Sequence, residues 1–254
     1  MKGRTEDAVA SIAERLDAWP SMDTITLVES GSDTNDPYFF VSLDAYHRGD
    51  VPGEEERRRE FHDAVAFESI YVTQKDRFLL HDIPVRIEYK NIHRFDEIVR
   101  TIEGNRGFYR DSGTYMFYRM KHSTILKQKS DWLTEVRKDL DAFTDGFWDT
   151  LRSLFQARME HYLGDLHAAV IREDPLFYLV SASGFIRSVA SVLFAVNRQF
   201  EPAPRSFLEE VPKLPALPDS FHGRFDSFLR TERELTRDRK LEVATLLAQS
   251  LIAL

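Results

Sequence analysis

The sequence predicts an α+β protein: an N-terminal domain built on a small mixed sheet with helices, residues 1–129, followed by an all-α helical bundle domain, residues 130–254. Three observations carry this. Apolar and polar residues alternate across Tyr38 to Tyr46 and again across Ile83 to Lys90, the period of a strand with two different faces. After Asp131 the apolar residues fall at helical spacing and stay there to the end. Between these regimes, Phe108 to Lys129 shows neither period and reads as an irregular connector.

Taken in order, Ala8 or Val9, Ile12, Leu16 and Trp19 share one helical face, so the first element is an amphipathic helix that stops near Pro20. Ile25, Leu27 and Val28 form a short apolar strand leading into Gly31-Ser32 and a polar turn. In the next strand Val41, Leu43 and Ala45 point toward a core and Ser42, Asp44 and Tyr46 point outward. Gly53 to His62 is a charged helix, acids first and arginines later as the helix dipole favours, and its charge run reads as a solvated face. Phe67 to Val72 and Arg77 to His81 are apolar segments without a clear period. In Ile83 to Lys90, Val85, Ile87 and Tyr89 alternate with Arg86, Glu88 and Lys90, which sets Glu88 on a strand face as a second carboxylate. Arg94 to Glu103 is a short helix, and Gly104 to Gly107 a turn. Lys121, His122, Lys127 and Lys129 collect in the connector, read as a solvated hinge or as cations facing a triphosphate. Long stripes from Leu133 to Leu166 and from Ala182 to Phe194, a proline-rich loop, Phe221 to Arg230 and Glu232 to Leu254 then give four or five helices.

Composition narrows the function classes. With 43% hydrophobic and 30% charged residues the chain can bury a core. It has no cysteine, which excludes disulfides, thiolate metal sites and cysteine nucleophiles and fits a reducing, cytoplasmic compartment. A net charge of -8 argues against a nucleic-acid partner, because phosphate backbones require a basic face. No run of about 18 apolar residues occurs and the first helix carries acids, which argues against a leader or a membrane anchor. The chain holds no P-loop, nucleophile elbow, zinc helix motif or dinucleotide fingerprint. His161 and His167 stand six apart, out of step with one helical face, and read as bundle residues rather than ligands.

Two carboxylates on neighbouring strands beside a Gly-Ser turn suit a divalent cation that holds a triphosphate. Gly31-Ser32, a nine-residue spacer and Ser42-Leu43-Asp44-Ala45 resemble the signature of the DNA polymerase beta-like nucleotidyltransferase superfamily, with Glu88 as the third acidic position. Thr34 to Tyr38 is similar to the kanamycin nucleotidyltransferase branch, and Leu193 to Pro202 looks like an Asn-Arg-x-Tyr-x-Pro feature of helical C-terminal domains, with Phe200 at the tyrosine. The resemblance implies a magnesium-dependent transferase that moves a nucleoside monophosphate from a nucleoside triphosphate to a hydroxyl of a small molecule or protein held between the domains. Asp44 and Glu88 would be the catalytic metal ligands; Gly31, Ser32, Ser42, Asn197 and Arg198 would bind the nucleotide. One departure stands out: Ser42 occupies the place of the first carboxylate, which weakens a two-metal site without abolishing metal-triphosphate binding, and Asp33 or Asp36 of the turn could swing in to replace it. The alternative is therefore a non-catalytic nucleotide-binding or interaction protein on a degenerate fold. A third reading is a scaffold whose helical half forms a homodimer.

Overall fold

The computed structural model describes residues 2–30, 40–70, 74–101, 113–230 and 235–254. The elements are α1 (Lys2–Asp17), β1 (Met22–Ser30), β2 (Val41–His47), α2 (Glu54–Glu60), β3 (Val65–Ile70), β4 (Lys75–Leu80) and β5 (Ile83–Asn91). There follow α3 (Ile92–Thr101), α4 (Tyr115–His122), β6 (Thr124–Gln128), α5 (Trp132–Asp141), α6 (Asp145–Ile171) and α7 (Pro175–Val196). The short α8 (Phe207–Glu210), α9 (Phe221–Leu229) and α10 (Arg237–Ile252) complete the chain. Two compact units emerge, one from the described residues of Met1–Ile102 and Arg119–Ala142, the other from those of Glu103–Tyr118 and Phe143–Leu254. The fold is α+β, a mixed sheet with helices and a helical C-terminal region.

In the first unit six strands lie in the order β3-β4-β5-β2-β1-β6. Among the described residues only β2 and β5 run parallel; the other neighbours are antiparallel. That parallel pair sits at the centre, and its register sets Asp44 directly beside Glu88. One face is closed by α1, whose Ala8, Val9, Ile12, Ala13 and Leu16 are buried in a core with Ile25, Leu43, Val85 and Ile87. This is the apolar stripe that the sequence period marks, and burying it is what stabilises the sheet.

Two expectations are corrected, and two unassigned segments find their place. The described part of the connector, residues 113–129, is not irregular: it holds α4, anchored by buried Phe117 and Met120 at i, i+3, and the edge strand β6. The described parts of the unassigned apolar segments fall in β3 and β4, an antiparallel pair with β3 at the other edge of the sheet. The charged helix α2 is not merely a solvated face, because Arg57 turns inward and donates to buried Asp76 through Nε at 2.8 Å and Nη2 at 3.1 Å. The expected turn at Gly104 to Gly107 lies outside the described residues.

In the second unit α6 and α7 pack along each other. Thr144 caps α6 by accepting from Phe147 N, and Asp174 caps α7, with Pro175 in its first turn, by accepting from Leu176 N and Phe177 N. Gly184 lets the two approach: a Cβ there would meet the Tyr162 ring at 2.3 Å. By length and composition α7 is apolar enough to cross a membrane, yet 56% of its most apolar window is buried within the protein. Buried Glu201 ties the unit together, its carboxylate accepting from Thr114 N at 3.0 Å, from the Thr114 hydroxyl and from Ser191 Oγ.

Candidate functional site

Asp44 sits on the face of β2 opposite the main core, as the alternation predicts, but it is not displayed to solvent. Every residue of β2 is buried, and Asp44 is 0% exposed. Three helices cover this face. Tyr46, two residues along, packs against Phe95 of α3 and Trp132 of α5, at ring separations of 5.8 and 5.0 Å. Trp132 is fixed by its indole N–H, which donates to Asp96 at 2.8 Å. The third helix, α4, brings Arg119. Its C-terminal end is held by Arg137, whose Nε donates to Met120 O at 2.8 Å, one of the carbonyls a helix end leaves unpaired.

Arg119 grips Asp44 with both arms of its guanidinium, Nη2 to Oδ1 at 2.5 Å and Nε to Oδ2 at 3.1 Å. Lys90 Nζ donates to Oδ2 at 2.8 Å, and the Tyr46 hydroxyl donates to the same oxygen at 3.3 Å. Beside it Glu88 is bound by Lys75 at 2.8 Å, Arg119 at 3.3 Å and Lys90 at 3.6 Å. The result is a row of two carboxylates and three cations.

The electrostatics follow from that count. Burial pushes the Asp44 carboxyl up, but Lys90 and Arg119 outweigh it and hold the group below its ordinary value. Glu88 is likewise lowered, Arg119 and Lys90 prevailing over burial. Burial pushes the Lys90 ammonium down more than Asp44 draws it up, with Arg119 adding repulsion. The Tyr46 phenol is raised well above its usual value, by burial first and then by Asp44. Both carboxylates are therefore ionised at neutral pH and already balanced.

Magnesium demands oxygen ligands in near-octahedral array. Among the described residues the donor set does not suit it. Both oxygens of Asp44 are taken by Arg119 and Lys90, Ser42 offers a hydroxyl where a carboxylate is needed, and Glu88 is held by three cations. Among the described residues no group of three or more His, Asp or Glu side chains could hold a metal ion.

Of the residues singled out from the sequence, the sheet brings Asp44, Glu88 and Ser42 together; Ser42 lies beside Arg86 in register. Gly31 and Ser32, with Asp33 and Asp36, lie outside the described residues. Asn197 and Arg198 belong to the other unit. The Asn197 amide donates to Leu193 O and Ala216 O, at 2.8 and 2.9 Å, and accepts from Ala216 N at 2.7 Å, so it stitches the end of α7 to the following loop. Arg198 is exposed and pairs with Asp145 at 2.8 Å. Phe200 is buried against Phe117 and Trp148. Among the connector cations, Lys121 pairs with Asp141, and Lys129 donates to the carbonyls of Asp17 and Trp19.

Sequence reasoning missed Arg119, Lys90 and Lys75. Lys90 was legible in principle, since it shares the strand face of Glu88 two residues away.

No protein-family model matches the chain, and no curated protein matches it. Among solved structures the chain is similar to a nucleotidyltransferase-like protein from Exiguobacterium sibiricum. The two are 14% identical with a TM-score of 0.48, and the match covers 98% of this chain and 74% of that one.

Proposed function

We propose that this chain is a non-catalytic nucleotide-binding protein on a degenerate nucleotidyltransferase-like fold. The observation that carries this is the saturation of Asp44. A transferase of this kind needs carboxylates free to hold a metal against the triphosphate, so that metal charge stabilises the transition state. Arg119 and Lys90 occupy both Asp44 oxygens instead. Ser42 removes the neighbouring carboxylate, and the motif resemblance of Gly31-Ser32 and Asp44 supplies the nucleotide part of the reading.

One observation favours a second reading, the magnesium-dependent transferase: Asp44 and Glu88 are side by side on parallel strands, as a metal pair would be. In that case Arg119 and Lys90 would have to leave Asp44 when metal and nucleotide arrive. Incubation of the protein with each nucleoside triphosphate and Mg2+ or Mn2+, scored for pyrophosphate release, separates the two. The non-catalytic reading expects binding by calorimetry and no release. Release by the wild type that disappears in Asp44→Asn would establish the transferase instead.

A further inference from the structure

The face of the sheet that carries Asp44 continues past the balanced row. One register step away, Ser42 of β2, Arg86 of β5 and Arg77 of β4 lie side by side. Direct cross-strand neighbours of like charge repel, yet no carboxylate separates these two guanidiniums. Both arginines are exposed, and among the described residues neither forms an ion pair. The charged group nearest in register is Glu68 of the edge strand β3, opposite Arg77, and it forms no ion pair with it. Arg86 lies over the Phe40 ring, 3.8 Å from its centroid, which limits where its fork can point. Burial, then the repulsion of Arg77, lowers the Arg86 pKa.

Two rows thus behave differently on one surface. In the inner row the cations are consumed by Asp44 and Glu88. In the outer row they are not. A phosphate chain approaching this face meets two open guanidinium forks, each of the geometry that pairs with phosphoryl oxygens. The inner carboxylates are already neutralised by Lys90, Lys75 and Arg119, which leaves Glu68, opposite Arg77 at the edge strand, as the one exposed carboxylate beside this row among the described residues.

We infer that Arg77 and Arg86 bind the di- or triphosphate chain of a nucleotide directly, without a divalent cation. The two arginines supply the counter-charge that a metal on Asp44 and Glu88 would otherwise bring. Naming the ligand a nucleotide rests on the function proposed above; the oxyanion site rests on the sheet alone.

The test is calorimetric titration of the full chain with ATP and, separately, with inorganic tripolyphosphate, each in EDTA at low salt. The proteins are the wild type, Arg77→Gln, Arg86→Gln and the double variant, with Arg86→Lys as the charge-preserving control. Because both side chains are exposed, circular dichroism should report an unchanged fold. Both ligands should bind the wild type in EDTA. Each Gln variant should weaken tripolyphosphate by about tenfold, the effect of one lost charge-assisted hydrogen bond, and the double variant by more. Arg86→Lys should retain part of the affinity. Tripolyphosphate binding unchanged in the double variant, or absent from the wild type, overturns the site. Arginine-dependent tripolyphosphate binding with no ATP binding would keep the oxyanion site and refute the nucleotide reading. ATP binding insensitive to both arginines would do the reverse.

Discussion

The sheet carries a buried aspartate-arginine pair on each face, and the two are built alike. Asp44 on β2 and Asp76 on β4 are both 0% exposed. Each accepts two hydrogen bonds from one arginine, Arg119 from α4 or Arg57 from α2, and one from a strand tyrosine, Tyr46 at 3.3 Å or Tyr89 at 2.8 Å. They differ in surroundings. Among the described residues Asp76 pairs with one cation, Arg57, which also donates to Ser69 Oγ and lies over the Tyr89 ring. Asp44 has Arg119 and Lys90, with Glu88 and Lys75 adjoining. A buried, ionised aspartate gripped by arginine is thus a structural device used twice here, and the motif position of Asp44 does not by itself make it a reactive group. What distinguishes Asp44 is the excess of cations around it and the open arginine row beside it.

That comparison orders the expected effects. The largest falls on Arg57→Ala, which leaves Asp76 buried with no cation; urea unfolding should show a loss of about 3–5 kcal/mol. Arg119→Ala should cost less, about 2–3 kcal/mol, because Lys90 remains on Asp44 and keeps the charge paired. Equal losses would mean that the second cation contributes nothing.

A pH scan sharpens the same point. Asp44 and Glu88 titrate in the folded protein below their unfolded-chain values, so the folded state binds fewer protons through the acid range. Their contribution is complete above the ordinary carboxylate values, about 4, and is lost as pH falls through the depressed ones. Asp63 behaves the same way: the hydrogen bond from Arg15 outweighs its slight burial and lowers it to about 2. Acid unfolding of the wild type should therefore steepen below about pH 4, and Asp44→Asn should flatten that dependence. A slope unaltered in Asp44→Asn would place the acid sensitivity elsewhere.

The smallest effects belong to the phenols. Tyr89→Phe should cost about 1 kcal/mol and Tyr46→Phe less, since the second bond is longer. The reverse order would show that Tyr46 matters to the Asp44 row beyond its hydrogen bond.

Much of the fold was legible because burial writes a period into the chain. The face of α1, the alternation of β2 and β5 and the helical stripes of α6 and α7 follow from it, and the same alternation put Asp44 and Glu88 on the face where the register joins them. The connector was misread because α4 spans only Tyr115–His122, two turns in which aromatic and basic residues mix, too short for a period to stand out. Arg119 was lost with it. Arg57 was hidden differently: its residue type does not separate it from Arg58 and Arg59, and the partners that select it, Asp76 and Ser69, lie nineteen and twelve residues on. Outward alternation also did not predict exposure, because α3, α4 and α5 cover the face that the strand pattern alone marks as polar.

The central claim is that Lys90 and Arg119 stand where a divalent cation would have to bind. Manganese, a spin-active stand-in for magnesium, tests it directly when the signal of the free ion is followed by electron paramagnetic resonance during titration into the protein. The wild type should show no specific site, with uptake appearing only when Lys90 and Arg119 are both replaced by methionine in a variant that still folds. One manganese ion taken up per wild-type chain, and lost in Asp44→Asn, would contradict it and return Asp44 and Glu88 to the role of metal ligands.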